Sequence, residues 1–248
     1  MALKWRLVLN RYQIRHLSHF DVATSIGQVR IHHRGSVADR GVLEQHFVNR
    51  EYDILRFKRG KGLRAMYRAM VAQGQKPLII DAGANIGASL VWFAREYPEA
   101  HIIAFEPDAE NCALLRQNTK GLDATIHEAA IGSSDGFVNI HDPGEGEWAY
   151  RTEPDQSGSC VQLSMLRMVR EAIEAGYEPF YVKIDIEGGE AHLFDKNTEW
   201  VQEFPIMSVE LHDWLIPQGG TAKSFLHCIA ALDRDFVIRG ENVFSIRN

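Results

Sequence analysis

The sequence predicts an α/β fold with a mainly parallel sheet, a C-terminal antiparallel hairpin and a small basic extension at the N-terminal end. Three observations lead to this prediction. From Pro77 onward, short apolar runs alternate with longer helical segments, as strands and helices do in βαβ units. Two apolar runs flank Gly240-Glu-Asn242 near the end of the chain, which is typical of a hairpin. A length of 248 residues suits one large α/β domain, or one domain with an extension.

Each element after residue 77 follows from its own pattern. Apolar runs predict six strands, at 78–81, 101–105, 124–128, 137–141, 180–186 and 205–211. The segments between them predict five helices, at 86–97, 109–118, 161–175, 190–200 and 222–232, and residues 235–247 form the hairpin. Residues 143–159 are polar and rich in glycine and acidic residues. A loop of that length favours a lid or a binding loop.

Residues 1–74 are predicted to form a basic cap on the α/β domain of residues 75–248. Residues 3–17 are loosely helical, 28–33 alternate like a short strand, and 42–53 and 63–72 favour helices. Residues 1–76 hold 15 Lys and Arg against 5 Asp and Glu, whereas residues 77–248 hold 12 against 28. Two explanations fit this asymmetry. The basic segment packs on an acidic domain, or it forms a surface for phosphate, anionic glycolipid or membrane headgroups.

Composition excludes several classes of protein. With 45% apolar and 24% charged residues the chain is an ordinary globular protein, neither disordered nor fibrous. A net charge of -6 argues against a nucleic-acid partner, and no apolar run reaches the roughly 20 residues of a spanning helix. The first residues lack the apolar core of a secretory signal. Three distant cysteines, Cys112, Cys160 and Cys228, indicate reduced thiols in a cytoplasmic protein, without a disulfide framework or a zinc site.

The most informative motif is a strand that turns tightly into a helix through Asp81, Gly83 and Gly87. Glycine at 83 permits the turn, and glycine at 87 permits close packing of helix and strand. Glu106 ends the next strand, where a carboxylate accepts hydrogen bonds from the ribose of an adenosine. The turn lacks the G-x-G-x-x-G spacing of a dinucleotide site, and Asp81 would repel a pyrophosphate but attract an ammonium or sulfonium group. The motif therefore favours S-adenosylmethionine over NAD, and a methyltransferase over a dehydrogenase.

Polar residues follow two later strands. Asp185, Glu187 and Glu190 follow one of them, and Glu210 and His212 follow the other. The carboxyl ends of parallel strands share one edge of a sheet, so both groups are predicted to lie beside the methyl donor. His212 is the predicted general base, oriented by Glu210, with Asp185 and Glu187 also in the catalytic set. Asp185, Glu210 and His212 would equally suit Mg²⁺ or Mn²⁺. A metal is an open alternative that the spacing does not require.

Four motifs together resemble the FkbM-type methyltransferases: Asp81-Ala-Gly-Ala-Asn-Ile-Gly87, Phe105-Glu-Pro-Asp108, Val182-Lys-Ile-Asp-Ile-Glu-Gly-Gly-Glu190 and Val209-Glu-Leu-His-Asp213. The resemblance covers residues 78–213, with a weaker match from Arg34 to Tyr52. It implies a Rossmann-like class I methyltransferase fold with seven strands and S-adenosylmethionine as cofactor. The cofactor residues implied at the methionine, ribose and adenine ends are Asp81, Gly83, Ala84, Asn85, Gly87, Glu106, Asp108, Glu128, Ala129 and Asp185.

The resemblance also implies O-methylation of a sugar, glycan, glycolipid or natural-product hydroxyl. Arg34, Arg40 and Tyr52 are the predicted acceptor residues, and the basic cap favours an anionic acceptor or contact with a membrane surface. N-methylation on the same fold and a non-catalytic cofactor-binding module are the alternatives. The joint presence of the acidic and histidine residues named above argues against the second. A homodimer is the default assembly.

Overall fold

The computed structural model describes Ile14 and residues 18–24, 26–141, 151–154, 158–214 and 220–248. Its centre is a seven-stranded sheet in the order β12-β13-β11-β10-β3-β4-β5. These strands are β3 (Lys76–Ala82), β4 (His101–Glu106), β5 (Ala124–Glu128), β10 (Tyr177–Ile184), β11 (Ile206–Glu210), β12 (Arg234–Arg239) and β13 (Asn242–Arg247). β3, β4, β5, β10 and β11 are parallel. The predicted class I methyltransferase fold is confirmed.

The C-terminal hairpin enters the sheet in an order that the sequence pattern did not predict. β13, rather than the first hairpin strand, pairs with β11 and is antiparallel to it, and β12 lies outside as the edge strand. The reason is burial: Phe244 and Ile246 of β13 are fully buried, whereas Phe236 and Ile238 of β12 are exposed. β13, which is antiparallel to both of its neighbours, is therefore the second strand from the edge of the sheet.

Seven α-helices are described. They are α1 (Val37–Leu43), α2 (Gly60–Ala72), α3 (Ala88–Glu96), α4 (Ala109–Asn118), α5 (Met165–Glu174), α6 (Glu190–Leu193) and α7 (Thr221–Ile229). The predicted bounds of α4 and β5 are confirmed. The helix predicted at 161–175 begins only at Met165, because Cys160–Ser164 forms a strand, β9. The helix predicted at 190–200 ends at Leu193, and a 3₁₀ turn follows at Glu199–Gln202.

The chain after β5 forms a second sheet of four strands, in the order β6-β9-β7-β8. Its strands are β6 (Ala130–Gly132), β7 (Gly136–His141), β8 (Arg151–Pro154) and β9. β8 lies inside the loop predicted at 143–159, so that loop is partly a strand paired with β7. Residues 143–150 and 155–157 of the loop, and residues 3–17 apart from Ile14, lie outside the described residues.

The N-terminal region covers one face of the large sheet. It consists of a hairpin, β1 (His19–Thr24) with β2 (Gly27–His32), followed by α1, a π-helix (Glu44–Asn49), a 3₁₀ turn (Ile54–Arg56) and α2. The helix predicted at 42–53 is thus the end of α1 plus the π-helix. Tyr67 of α2 packs edge-on against Tyr97, at 5.1 Å between ring centroids, and contacts Phe180 of β10. The region shares one apolar core with the sheet. No helix among the described residues is long and apolar enough to cross a membrane.

Candidate functional site

A cavity of about 530 Å³ lies over the carboxyl ends of β3, β4, β10 and β11, which is where ligands bind in open parallel sheets. The sheet supplies one wall. The opposite wall comes from the N-terminal region and the β12–β13 turn. The residues from these two sources that line it are Ala38, Gly41, Val42, Glu44, Gln45, His46, Asn49, Glu51, Gly240 and Glu241.

The glycine turn after β3 brings the backbone of Gly83 close to the backbone of Asp185. Gly83 has φ +81°, and a Cβ there would lie 1.7 Å from the carbonyl oxygen of Asp185, so only glycine fits. Gly87 also has positive φ, at +87°, and a Cβ there would lie 2.8 Å from Leu115 Cδ1. Its close approach is therefore to helix α4 rather than to a strand, which corrects the predicted reason for this glycine. Gly83 and Ala84 line the cavity, whereas Gly87 does not.

Glu106 is held at the end of β4 by the turn that precedes α3. Its Oε2 accepts a hydrogen bond from Asn85 N at 2.8 Å, and its Oε1 accepts one from Asp108 N at 3.0 Å. Asn85 adopts a left-handed φ of +48°, which points its amide at the carboxylate. Burial raises the pKa of Glu106 to about 7 in spite of these bonds. Asn85 and Glu106 both line the cavity, as predicted for the cofactor half.

Two residues predicted at the adenine end make other contacts. Glu128 forms an ion pair with Arg116 at 2.8 Å and does not line the cavity. Ala129 does line it, but its amide donates to the carbonyl oxygen of Glu106 at 3.1 Å and is not available to a ring nitrogen. Asp108 caps α4, since its side chain accepts from Asn111 N, and it also lies outside the cavity wall.

A buried lysine, which the sequence analysis missed, joins the acidic residues of β3 and β10. Lys183 is 1% exposed, and its Nζ lies 3.1 Å from Asp81 Oδ1 and 3.5 Å from Asp185 Oδ2. It donates a hydrogen bond to the carbonyl oxygen of Gly83 at 2.8 Å. Burial opposes its charge, but the two carboxylates outweigh burial and raise its pKa. A basic residue inside the otherwise apolar strand segment that precedes Asp185 was the signal that could have revealed it.

Asp81 lies fully buried beneath the glycine turn. Burial raises its pKa, and Lys183 partly offsets that rise. The Nζ of Lys183 lies 3.1 Å from Asp81 Oδ1, and Ser89 is a second polar neighbour that favours the charged carboxylate. Asp81 is therefore a buried, paired carboxylate beneath the glycine turn.

His212 lies behind the cavity wall in a cluster of carboxylates. Its Nδ1 is 3.1 Å from Glu190 Oε1, and its Nε2 is 3.2 Å from Glu187 Oε2. Asp185 and Glu210 each place an oxygen 3.8 Å from the same Nε2. The structure thus brings together all four predicted catalytic residues and adds Glu190, which is fully buried.

These neighbours determine the charge of His212. Burial alone would lower its pKa, but hydrogen bonds to Glu187 and Glu190 outweigh burial and raise the pKa to about 11. Burial and the nearby Asp185 raise the pKa of Glu210 to about 9. At neutral pH His212 is therefore an imidazolium, which has no free lone pair. It is also absent from the cavity wall. Both findings disagree with the predicted role of His212 as general base.

The same cluster has the spacing of a metal site. Asp185, Glu187 and His212 each offer one ligand atom, and these atoms lie within 4.8 Å of one another. Oxygen ligands with one imidazole suit Mg²⁺ or Mn²⁺. The geometry thus keeps the metal alternative open, with Glu187 in the place of Glu210 among the ligands predicted from the sequence.

The predicted acceptor residues do not line the cavity. Arg34 forms an ion pair with the buried Asp39 at 2.7 Å and donates to Asn111 Oδ1 at 2.8 Å. Arg40 is absent from the cavity wall, and Tyr52 is buried in the apolar core. The contact with Asn111 holds the N-terminal region on α4, and the ion pair of Arg64 with Glu96 at 2.6 Å holds it on α3. The cap charges thus favour the first of the two explanations, a basic segment packed on an acidic domain.

His46 does line the cavity, and the sequence analysis did not identify it. The π-helix carries it, and its ring stacks on Tyr52 with centroids 4.9 Å apart. Its Nδ1 lies 2.7 Å from the carbonyl oxygen of Val42. Burial lowers its pKa to about 4. A π-helix is rare and often marks a functional site, but the sequence pattern at 42–53 indicates only a helix.

The charge inside the cavity is opposite to that of the N-terminal region as a whole. Among the described residues that line it, seven are carboxylic acids and only Lys183 is a basic side chain with a standing charge. The seven are Glu44, Glu51, Glu106, Asp185, Glu187, Glu210 and Glu241. With a pKa of about 9, Glu210 is protonated at neutral pH, so the negative charge comes from the other acids. Those acids still attract a cationic ligand and repel an anionic one.

Comparisons with known proteins identify the family of the chain. The Methyltransferase FkbM domain matches residues 81–237, more than half of the chain. The 2-O-methyltransferase NoeI of Sinorhizobium fredii is 28% identical over 176 residues, which are 62% of this chain and 72% of that protein. The hexuronic acid methyltransferase AglP of Haloferax volcanii is 23% identical over 175 residues, 68% of this chain and 70% of that protein.

A solved structure of an O-methyltransferase from Bacillus cereus, in complex with SAH, aligns with a TM-score of 0.43 and 13% identity over 84% of this chain and 91% of that one. The match to the FkbM domain identifies the family. The chain belongs to the FkbM methyltransferases and is an S-adenosylmethionine-dependent methyltransferase.

Proposed function

We propose that this enzyme transfers a methyl group to a hydroxyl of a sugar that carries no negative charge. The observation that carries the proposal is the acidic cavity between the glycine turn and the N-terminal region. The names of the relatives support O-methylation and a sugar acceptor, since NoeI is a 2-O-methyltransferase and AglP is a hexuronic acid methyltransferase. The proposed acceptor differs in charge from the one that AglP is named for. O-methylation needs an acceptor hydroxyl held in line with an activated methyl group, together with a group that takes its proton.

The residues of the sheet wall fit S-adenosylmethionine. We propose that the turn at Gly83 and Ala84 and the side chain of Asp185 hold the methionine end, and that Glu106 accepts from the ribose. The buried carboxylate of Asp81, beneath the glycine turn, fits an electrostatic role toward the ammonium group. When bound, the cofactor supplies a methyl carbon activated by its sulfonium. The protein's own groups need only position the acceptor and remove a proton.

The opposite wall fits the hydroxyl groups of a sugar. Glu44, Gln45, Asn49 and Glu51 line it with carboxylate and amide groups, which accept and donate hydrogen bonds. An anionic acceptor, which the basic cap favoured at the level of sequence, would meet mainly acidic residues here. The charge of the cavity therefore supports a neutral or amino sugar over a uronic acid.

His212 fits a different role from the predicted one. We propose that its imidazolium holds Asp185, Glu187 and Glu210 together at the cavity edge, where they contact the ligands. Metal-assisted O-methylation is the second candidate, because the atoms of Asp185, Glu187 and His212 lie close enough to bind one ion. In that case the divalent ion would supply the positive charge, and His212 would be neutral.

Methyl uptake tests the proposal. Purified enzyme is incubated with methyl-labelled S-adenosylmethionine and matched panels of neutral, amino and uronic acid glycosides, and we expect label in the first two. Glu106→Ala should lose two hydrogen bonds to a charged acceptor, each of about 1.5–3 kcal/mol, and should bind S-adenosylhomocysteine more weakly in calorimetry.

Asp108→Ala is the matched control for that variant, because its carboxylate lies outside the cavity and only its backbone amide contacts Glu106. It should keep the affinity of the parent. A preference for uronic acids as acceptors would contradict the proposed acceptor class. Unchanged cofactor affinity in Glu106→Ala would contradict the proposed contact of Glu106 with the ribose.

A further inference from the structure

The wall opposite the cofactor half holds a buried imidazole with one unused nitrogen. His46 is 2% exposed and lines the cavity, and its Nε2 has no hydrogen-bond partner among the described residues. A buried polar atom without a partner is rare in a folded protein and calls for an explanation. A ligand group that enters the cavity would supply the missing partner.

The state of this ring is fixed by its other contacts. The carbonyl oxygen of Val42, 2.7 Å from Nδ1, can only accept a hydrogen bond, so Nδ1 carries the proton. Nε2 is then an acceptor with a free lone pair. The stack on Tyr52, with 24° between the planes, holds the ring in orientation. The fold thus presents a neutral imidazole in one tautomer to the cavity.

The position of His46 relative to the sheet is also informative. The charged groups that act on it are Lys183 and Asp185 of the β10 end, which border the glycine turn across the cavity. Because His46, Lys183, Asp185 and Gly83 line one cavity, an acceptor hydroxyl held between the two walls would have the cofactor half on one side and the wall of His46 on the other. His212 differs, because both of its nitrogens already face carboxylates.

From this geometry we infer that His46 Nε2 is the general base that takes the proton of the acceptor hydroxyl. The inference rests on the proposed function. The bond from the acceptor oxygen to the methyl carbon forms as the bond from that carbon to sulfur breaks, and its electron pair stays on sulfur. The hydroxyl proton passes to Nε2, and the imidazolium later releases it to water.

Charge balance in the cavity supports this step. The positive charge on sulfur disappears as the imidazolium forms, so the net charge of the closed cavity does not change. Burial keeps the pKa of His46 at about 4 before the reaction, which leaves the base unprotonated at neutral pH. Loss of the nearby sulfonium raises the basicity of the ring at the moment of transfer, since a cation close by disfavours a second one.

Two substitutions at position 46 test the inference. His46→Asn keeps a donor for Val42 but removes the acceptor at the ε position. We expect its turnover to fall by about 10²–10⁴-fold, the usual contribution of a general base, with unchanged affinity for S-adenosylhomocysteine. His46→Gln places an amide at the ε position, which accepts a hydrogen bond but not a proton, and should be similarly slow. His227→Asn, on the exposed side of α7, is the matched control with parent activity.

A measurement on the enzyme without substrates accompanies the kinetics. In ¹⁵N NMR spectra at pH 7, assigned with His46→Asn, the His46 ring should show a protonated Nδ1 and an unprotonated Nε2. A protonated Nε2 would overturn the inference. Parent-like turnover in folded His46→Asn would overturn it too, and parent-like turnover in His46→Gln alone would reduce His46 to a positioning residue. A parent enzyme that methylates no sugar would instead refute the proposed function on which the role depends.

Discussion

One buried histidine lies behind the sheet wall of the cavity and another lies in the opposite wall, and the two differ in charge. Behind the sheet wall, His212 is surrounded by four carboxylates at 3.1–3.8 Å, and its pKa is raised to about 11. On the opposite wall, His46 contacts a carbonyl oxygen and the ring of Tyr52, and its pKa is lowered to about 4. Burial is nearly equal, at 1% and 2% exposure. The neighbours, and not the depth, determine the charge.

This difference indicates that the two histidines serve different tasks, whereas the sequence suggested only one catalytic histidine, His212. A permanently charged imidazolium can hold acidic side chains in place, whereas a neutral imidazole with a free nitrogen can take a proton. The sheet wall therefore supplies the fixed charges and the N-terminal region supplies the base. A methyltransferase of this design needs both walls for activity, although its cofactor motifs lie in only one of them.

The largest expected effect is on stability and concerns His212. His212→Asn leaves the fully buried Glu190 and its neighbours without their cation. Because breaking a buried ion pair costs about 3–5 kcal/mol, the free energy of unfolding should fall by that amount. His46→Asn loses no charge and should cost about 1 kcal/mol or less, since the hydrogen bond to Val42 can be kept. Urea denaturation at pH 7.5 measures both values.

Equal losses in the two variants would mean that the two sites do not differ in charge. The same experiment in the presence of EDTA addresses the metal alternative. If an imidazolium balances the cluster, EDTA leaves the parent midpoint unchanged. A lower midpoint that Mg²⁺ restores would instead favour a bound ion at Asp185, Glu187 and His212.

The second prediction concerns the pH dependence of stability. The pKa of His46 falls from 6.5 when unfolded to about 4 when folded, so between these values only the unfolded state binds the proton. The contribution of His46 is full above pH 6.5 and is lost as the pH falls toward 4, by at most about 1.4 kcal/mol per pH unit. The difference in unfolding free energy between parent and His46→Asn should therefore shrink or change sign below pH 6.

His212 should behave in the opposite direction. Its folded pKa of about 11 lies above 6.5, so its contribution is full below pH 6.5 and declines as the pH rises toward 11. Denaturation curves of the parent and the two variants from pH 5 to pH 9 measure how the contribution of each histidine to the free energy of unfolding changes with pH. A His46 contribution that does not change with pH would refute its lowered pKa.

The smallest effect is expected at Tyr52. Its hydroxyl is buried and has no hydrogen-bond partner among the described residues, whereas its ring supports His46. Tyr52→Phe keeps the ring, so the KM for the acceptor and kcat should stay within about two-fold. Stability should be unchanged or higher by up to about 1 kcal/mol, because a buried hydroxyl without a partner is unfavourable. A clearly raised acceptor KM would restore the sequence-based prediction that Tyr52 contacts the acceptor.

Local sequence patterns were sufficient for the sheet wall. The strand, glycine turn and acidic residue at 78–106 could be predicted, because a parallel sheet places the ends of its strands at one edge whatever the rest of the chain does. Asp185, Glu187, Glu210 and His212 are brought together for the same reason. The strand within 160–164 and the order of the hairpin could not be predicted, because they depend on which partner strand and which core face are available.

The opposite wall and the charge of both histidines were decided only by the tertiary structure. His46 stands in a helical pattern like many core histidines, and only the packing of the N-terminal region on the sheet brings it into the cavity wall. Likewise the basic composition of that region does not reveal that its acidic residues, Glu44 and Glu51, line the cavity. Charge state depends on distances between groups far apart in sequence, since burial and nearby charges act through space. The sequence by itself thus determined the fold, the cofactor and the carboxylates at the strand ends, while folding decided which histidine is free to take a proton.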